Sequence, residues 1–183
     1  VELPICDLDA AKKINETAKK LKRRAKAHLK IDTGMGRLGM TAQQALENAM
    51  SYLSLPWLDI SAIASHFPCA DDPSDPVNMR QIESFRELIW KLESAGFCFA
   101  ERHIAASAAL FNLPQSYRDP FNLVRVGLGL YGADGSLQSE DCSIAPVATL
   151  KAKVVQVRHI NAGASIGYSG TYTATGNMRI AVI

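Results

Sequence analysis

The stretch His28-Leu29-Lys30-Ile31-Asp32-Thr33-Gly34-Met35-Gly36-Arg37-Leu38-Gly39-Met40 reads as a strand that runs straight into a glycine-rich turn. Strand alternation puts Lys30 and Asp32 on one face, and the turn delivers Arg37. Gly34, Gly36 and Gly39 fall within six residues and let the backbone take φ > 0 or approach a neighbour closely. A cation at the C-terminal end of a strand, a tight turn and a second cation beside it is how a parallel α/β barrel presents charge to a ligand.

Outward from this block, helix-like and strand-like segments alternate. Asp7 is an N-cap for a helix expected from Leu8 to about Ala27, with Leu8, Ala11, Ile14, Ala18, Leu21 and Ala25 on one face. Lys12, Lys13, Lys19, Lys20, Lys22, Arg23 and Arg24 cover its other faces and read as a solvated surface, because the charge of the whole chain is nearly balanced. Thr41-Ala42-Gln43-Gln44 is a capping-box pattern opening a helix to about Leu53. A strand is expected over 58–67. Pro76 then starts a helix that runs to Ala95, with Gly96 as its stop. A strand over 98–106, a short helix over 107–113 and a strand over 123–131 follow. This order predicts a parallel sheet with helices outside it, either open or part of a barrel. From Val147 to Ile160 the pattern changes to long alternation, and Gly163, Gly167, Gly170 and Gly176 punctuate short segments, which is β-domain texture. The boundary is expected near Ser136 to Asp141, giving domains over 1–136 and 137–183.

A chain of 183 residues with 48% hydrophobic and 21% charged residues is long enough to bury a core and ordinary for a globular protein. The net charge of +2 offers no large field for nucleic acid or membrane, so neither is an expected partner. No apolar run approaches the ~20 residues of a membrane span. Cys6, Cys69, Cys98 and Cys142 form no CxxC pair, which argues against a zinc site and a disulfide framework and points to a reducing cytoplasm. The first residue is not Met, and Met178–Ile183 resembles the start of a buried strand, so a piece of a longer polypeptide is expected.

Polar residues collect at the predicted strand ends: Lys30 and Arg37, then His66, Ser107 and Arg125. Residues at the C-terminal ends of different barrel strands converge, so the set predicts a site for an anionic ligand. His66 also reads as a satisfied structural histidine. Ser107 reads as a helix N-cap, and equally as part of a phosphate cradle. Arg125, between Val124 and Val126, requires a partner, since an unpaired charge inside an apolar strand costs several kcal/mol. Gly127 and Gly129 allow backbone amides to approach a ligand. Tyr168, in Ile166-Gly167-Tyr168-Ser169-Gly170, reads either as a tyrosine packed over a turn or as an acid/base group in need of a polar partner.

Taken together, HLKIDTGMGRLGM, SHFPCADD, HIAASAAL, LVRVGLGLYG and GASIGYSGTYTA resemble alanine racemases, enzymes of fold-type III that use pyridoxal 5'-phosphate. The resemblance covers essentially the whole chain. It implies the later part of a (β/α)₈ barrel followed by the start of a C-terminal all-β domain. By position, Arg125 resembles the arginine that hydrogen-bonds the pyridine nitrogen; a guanidinium does not give up its proton, so that nitrogen stays unprotonated. His66 resembles the histidine that braces this arginine. Ser107 with the backbone of Gly127 and Leu128 resembles the phosphate cradle. Arg37 resembles the arginine near the phenolic oxygen and the substrate carboxylate, and Lys30 a lysine that is often carbamylated. Tyr168 resembles the tyrosine acid/base group that reaches the partner subunit's site, which implies a homodimer.

The activity implied is interconversion of L- and D-alanine for peptidoglycan by a two-base lysine/tyrosine mechanism. The VVKANAYGHG-like motif that carries the cofactor lysine does not occur here, so this chain alone is expected to be inactive. Ala106 stands where many relatives have Asn, which leaves a racemase of broader specificity, for serine or lysine, as an alternative. A non-catalytic barrel relative is the alternative from another class, and retention of both Arg125 and Tyr168 argues against it.

Overall fold

A computed structural model describes residues 2–132 and 145–183. The chain divides into two compact units, Val1–Val147 and Ala148–Ile183. The boundary expected at Ser136 to Asp141 lies outside the described residues.

The first unit is a parallel sheet of four strands, β1 (Leu3–Ile5), β2 (Ala25–Lys30), β3 (Leu58–Ala64) and β4 (Glu101–His103), paired in chain order. Each crossover carries helix: α1 (Leu8–Lys20), α2 (Ala42–Glu47) with α3 (Ala49–Leu53), and α4 (Pro76–Ser94); α5 (Ser107–Asn112) follows β4. The local signals act as expected. The Asp7 carboxylate accepts from the Ala10 amide and caps α1. Thr41 and Gln44 close both halves of a capping box on α2. Pro76 opens α4 behind an Asp75 cap, and Gly96 takes φ +110 just past its end.

Four expectations are corrected. β1 precedes α1 and went unread because Pro4 sits at its centre; proline is tolerated there because β1 is an edge strand of the described sheet. The first helix stops at Lys20, where Lys22 adopts φ +51, and β2 therefore begins three residues earlier than expected. The helix expected over 41–53 breaks in two at Asn48. Residues 123–131 are not a strand. The Asn122 amide bonds the Arg102 carbonyl, the Arg125 amide bonds the Ala105 carbonyl, and a single parallel bridge joins Ala106 to Arg125. Beyond that point Gly127 leaves the extended region, and Leu128–Tyr131 form a 3-10 turn ended by Gly132 at φ +65.

Alternation in β2 sorts its two faces. Ala27 and Leu29, with Ile31 just beyond, are fully buried under the helices beside Ile63, Ile82, Phe85, Ile89 and Leu92. His28 and Lys30 point to the opposite face, as do Glu101 and His103 of β4. A bulge between Ala27 and His28 shifts the register against β3. The core is thus on the helix side, and the polar residues are gathered on the other.

The second unit consists of two antiparallel pairs: β5 (Gln156–Ile160) with β8 (Met178–Val182), and β6 (Ser165–Ile166) with β7 (Tyr172–Thr173). The alternation expected from Val147 forms a ladder only from Gln156 onward. Among its described residues only Ala174 is buried.

Candidate functional site

The polar face of the first unit forms a cavity of about 310 Å³ lined by Lys30, Arg37, His66, His103 and Arg125, with His28 and Glu2 at its side. This volume is at the small end for ligand sites, and its walls come from the ends of β2, β3 and β4, where a parallel α/β fold places its chemistry.

The turn after β2 is built by Asp32. One carboxylate oxygen accepts from the amides of Gly34, Met35 and Gly36 at 2.9, 2.8 and 3.1 Å. Burial opposes ionisation of Asp32, but the three amides and Lys30 prevail and hold the carboxyl below its usual range. Gly39 is the second requirement. It takes φ +118, and a Cβ there would stand 2.8 Å from the Lys30 carbonyl oxygen and 2.9 Å from the Asp32 nitrogen. The fold of the turn brings Arg37 to the cavity. Lys30, half-buried, donates to the Ile31 carbonyl at 3.0 Å. Burial first, and then the Arg125 charge, bring its pKa down to about 8, against the opposing pull of Asp32.

Arg125 has the partners that its apolar neighbours demand. Its Nη2 donates to the Ser65 carbonyl at 2.7 Å and to the Ile104 carbonyl at 3.3 Å, and lies 3.3 Å from Nδ1 of His66. Its Nη1 meets Nδ1 of His103 in a short contact. A histidine facing a guanidinium must present a bare nitrogen. Burial and the same guanidinium lower the pKa of both histidines, that of His103 to about 3, so both rings are neutral at pH 7. Ser65 is itself fixed: its hydroxyl lies 3.0 Å from the Ile31 carbonyl oxygen and 2.6 Å from Oγ1 of Thr33.

Ser107 is not the cap of α5. Ala106 occupies the N-cap position, and Ser107 is the first helical residue. Its Oγ accepts from the amides of Gly127 and Gly129 at 3.0 Å each. Gly129 is confined by Phe111, Val126 and Ser107, all 3.3–3.4 Å from where a Cβ would sit. Leu128 opens the 3-10 turn, where first-turn amides have no partner within the turn.

Lys30, Arg37, His66 and Arg125 are therefore brought into one cavity, and Ser107 is joined to the Gly127–Gly129 loop. Tyr168 belongs to the second unit, on a 3-10 turn between Gly167 and Gly170, and is 98% exposed. The sequence reading missed His103, Ser65, His28 and Glu2. Parity could have found two of them: His28 shares the face of Lys30 in β2, and His103 shares the face of Glu101 in β4.

Two family models match the chain, "Alanine racemase, N-terminal domain" over residues 1–135 and "Alanine racemase, C-terminal domain" over 147–183. The alanine racemase of Syntrophobacter fumaroxidans is 37% identical over 177 residues, which are 96% of this chain and 46% of that protein. Among solved structures, the alanine racemase of Clostridium difficile 630 superposes with a TM-score of 0.81 at 30% identity, over 99% of this chain and 47% of that one. The alanine racemase of Bartonella henselae with covalently bound pyridoxal phosphate shares the fold, with a TM-score of 0.77 at 24% identity, over 97% of this chain and 47% of that one. The chain spans about half the length of the relatives it matches. Its parallel sheet is the barrel part of this fold, and its antiparallel pairs belong to the β domain that follows. By these matches the chain belongs to the alanine racemase family.

Proposed function

We propose that this chain supplies most of the cofactor site of an alanine racemase, with pyridoxal phosphate held by Arg125, Ser107, the backbone of Gly127 and Leu128, and Arg37. The observation that carries this reading is Arg125: a guanidinium set into the cavity wall, held by two carbonyls and two neutral histidines. Such a group remains a hydrogen-bond donor throughout the physiological range. The donor set fits the group. Phosphate calls for amide and hydroxyl donors: the Gly127 and Gly129 amides hold the Ser107 oxygen in place, which leaves its O–H to donate beside the amide of Leu128 at the start of the 3-10 turn. A ring nitrogen that stays unprotonated calls for a donor that keeps its proton, which is Arg125. A substrate carboxylate calls for a cation in the cavity lining, which Arg37 supplies.

When bound, pyridoxal phosphate supplies the electron sink that acidifies the α-C–H of an amino acid. Arg125 would hydrogen-bond the ring nitrogen of that group without protonating it, which would limit the strength of the sink. Neutral His66 and His103 keep Arg125 oriented without adding charge to the site. Tyr168 carries a proton to or from one face of the α-carbon, and a lysine outside this chain's motifs serves the other. Its exposure supports delivery to a partner copy's cavity, and so a homodimer with shared sites. Lys30, near pKa 8, is partly neutral at mildly alkaline pH. Its free amine then attacks CO₂, forms an N–C bond and loses a proton, and the carbamate offsets the charge of Arg37 and Arg125.

The product role is D-alanine for peptidoglycan. The compartment is a reducing cytoplasm, where Cys6, Cys69 and Cys98, free thiols in this structure, persist. No helix among the described residues is long and apolar enough to cross a membrane. The full-length protein with added pyridoxal phosphate should convert L-alanine to D-alanine in D₂O with deuterium at the α-carbon, read by chiral chromatography and mass spectrometry. Unlabelled, unconverted L-alanine sinks the reading. This chain alone should give no exchange.

A further inference from the structure

The polar contacts behind Arg125 do not end at His103. Nε2 of His103 lies 3.0 Å from Nδ1 of His28, with the two rings edge to face at 5.1 Å. Nε2 of His28 in turn meets a carboxylate oxygen of Glu2 in a short contact. Arg125, His103, His28 and Glu2 thus form one unbroken line from the cavity wall to the edge strand.

The two ends of the line decide its direction. A guanidinium only donates, and a carboxylate only accepts. Arg125 therefore donates to a bare Nδ1 on His103. Neutral His103 carries its proton on Nε2 and donates it to Nδ1 of His28. His28 carries its own on Nε2 and donates it to Glu2. In this one arrangement every hydrogen faces an acceptor. Any other tautomer of either ring sets two N–H groups, or two lone pairs, against each other in a site where His103 is only 2% exposed.

We propose that His28 and Glu2 are positioning residues that lock His103 in its Nε2–H tautomer and thereby hold the Arg125 guanidinium against the cavity. The lock itself follows from the line of contacts; only its consequence for the cofactor rests on the function proposed above. Two neighbours bear on the Glu2 end. Glu101 places a second carboxylate oxygen 3.7 Å from the same His28 nitrogen, and Lys26 lies 3.8 Å from Glu2. Lys30 and Arg37 line the same cavity.

A metal centre is the competing reading, since His28, Glu101 and His103 offer donor atoms within 4.8 Å of one another. It is the weaker one. The facing nitrogens of the two rings already share one proton, and Lys30 and Arg125 beside them oppose a divalent cation.

The test is ¹⁵N NMR on the histidine-labelled full-length protein, with and without pyridoxal phosphate. We expect His103 to show an unprotonated Nδ1 and a protonated Nε2 in both forms. A protonated Nδ1, or a mixture of tautomers, overturns the proposal without recourse to any variant. In His28→Leu the His103 tautomers should mix, and pyridoxal phosphate should bind about tenfold more weakly, the worth of one well-placed hydrogen bond. His28→Gln, whose amide offers both an acceptor and a donor, should restore both readouts. A leucine variant with the parent's tautomer and affinity overturns the proposal. So does Zn²⁺ binding that removes the Nε2–H signal in the parent. A parent with the expected tautomers but no racemisation supports the lock and refutes only the function.

Discussion

Arg125 and Tyr168 are the two residues to which the resemblance gives the most chemistry, and the molecule treats them in opposite ways. Arg125 is held by His103, His66 and the Ser65 and Ile104 carbonyls, over a core of fully buried side chains. Tyr168 stands on a turn in a unit whose described residues bury only Ala174. In the first unit, the energy of folding fixes the site in advance. In the second, the tyrosine's own surroundings do not position it. Substitutions at the two positions should therefore separate activity from stability. Arg125→Leu strips donors from two carbonyls and should cost both: roughly 10²–10³-fold in racemisation and about 2 kcal/mol in unfolding free energy of the full-length protein. Tyr168→Phe should cost racemisation 10²–10⁴-fold, roughly, with stability changed by less than about 0.5 kcal/mol. Equal loss of stability in both variants, measured by urea denaturation, would break the contrast.

The same contrast predicts where backbone changes hurt. At Gly39 a methyl group would meet the backbone of Lys30, Ile31 and Asp32 below 3.0 Å, at a φ that L residues rarely adopt. Gly39→Ala should destabilise by about 3 kcal/mol and displace Arg37. Gly163, also at positive φ, has nothing within 4 Å of where a methyl group would stand, so alanine there should cost only the local strain, about 1 kcal/mol.

Acid should act through the first unit. His103 titrates near 3 in the folded protein and near 6.5 when unfolded. Below 6.5 the unfolded chain takes up the proton first, so stability falls as pH drops from 6.5 toward 3. Allowing for solvent screening of the partly exposed network, the loss is on the order of 3 kcal/mol. His103→Gln, which keeps an acceptor and a donor, should flatten that slope. Lys30 works in the opposite range: its folded pKa of about 8 lies below its usual 10.5, so stability rises as pH climbs between them.

The legibility of the molecule followed the range of its interactions. Caps and stops acted within four residues and could be read directly, as at Asp7, Thr41, Pro76 and Gly96. So could the phase of β2, because alternation assigns Lys30 to one face and Leu29 to the other. Arg125 announced its need of partners by lying between two valines. Which partners it found could not be read, since Ser65 and His103 lie 60 and 22 residues away in sequence and meet it only through strand order. The strand expected over 123–131 failed for the converse reason. Its valines and leucines fit a strand, but a ladder needs a continuous neighbour, and the Gly127 backbone turns away after a single bridge.

The smallest effect tests whether stability in the first unit is shared or local. The capping box on α2 joins the Thr41 hydroxyl to the Gln44 amide at 3.2 Å and the Gln44 side chain to the Thr41 amide at 2.9 Å. Both bonds are exposed, and α2 is only six residues long, so it depends on its cap and on Ala45 packing into the core. Thr41→Ala should cost about 1 kcal/mol. Because Met40, next to Thr41, exchanges hydrogen bonds with Lys30 and Asp32, the loss should spread along the chain into the cavity turn. Hydrogen exchange should therefore quicken at Gly34, Met35 and Gly36, whose amides bind Asp32, as well as in α2, while the amides of β5 and β8 stay as they were. Faster exchange in α2 alone would make the cap a local device. Faster exchange in β5 and β8 as well would mean that the second unit draws on the first for its stability, and the opposition between the two would no longer hold.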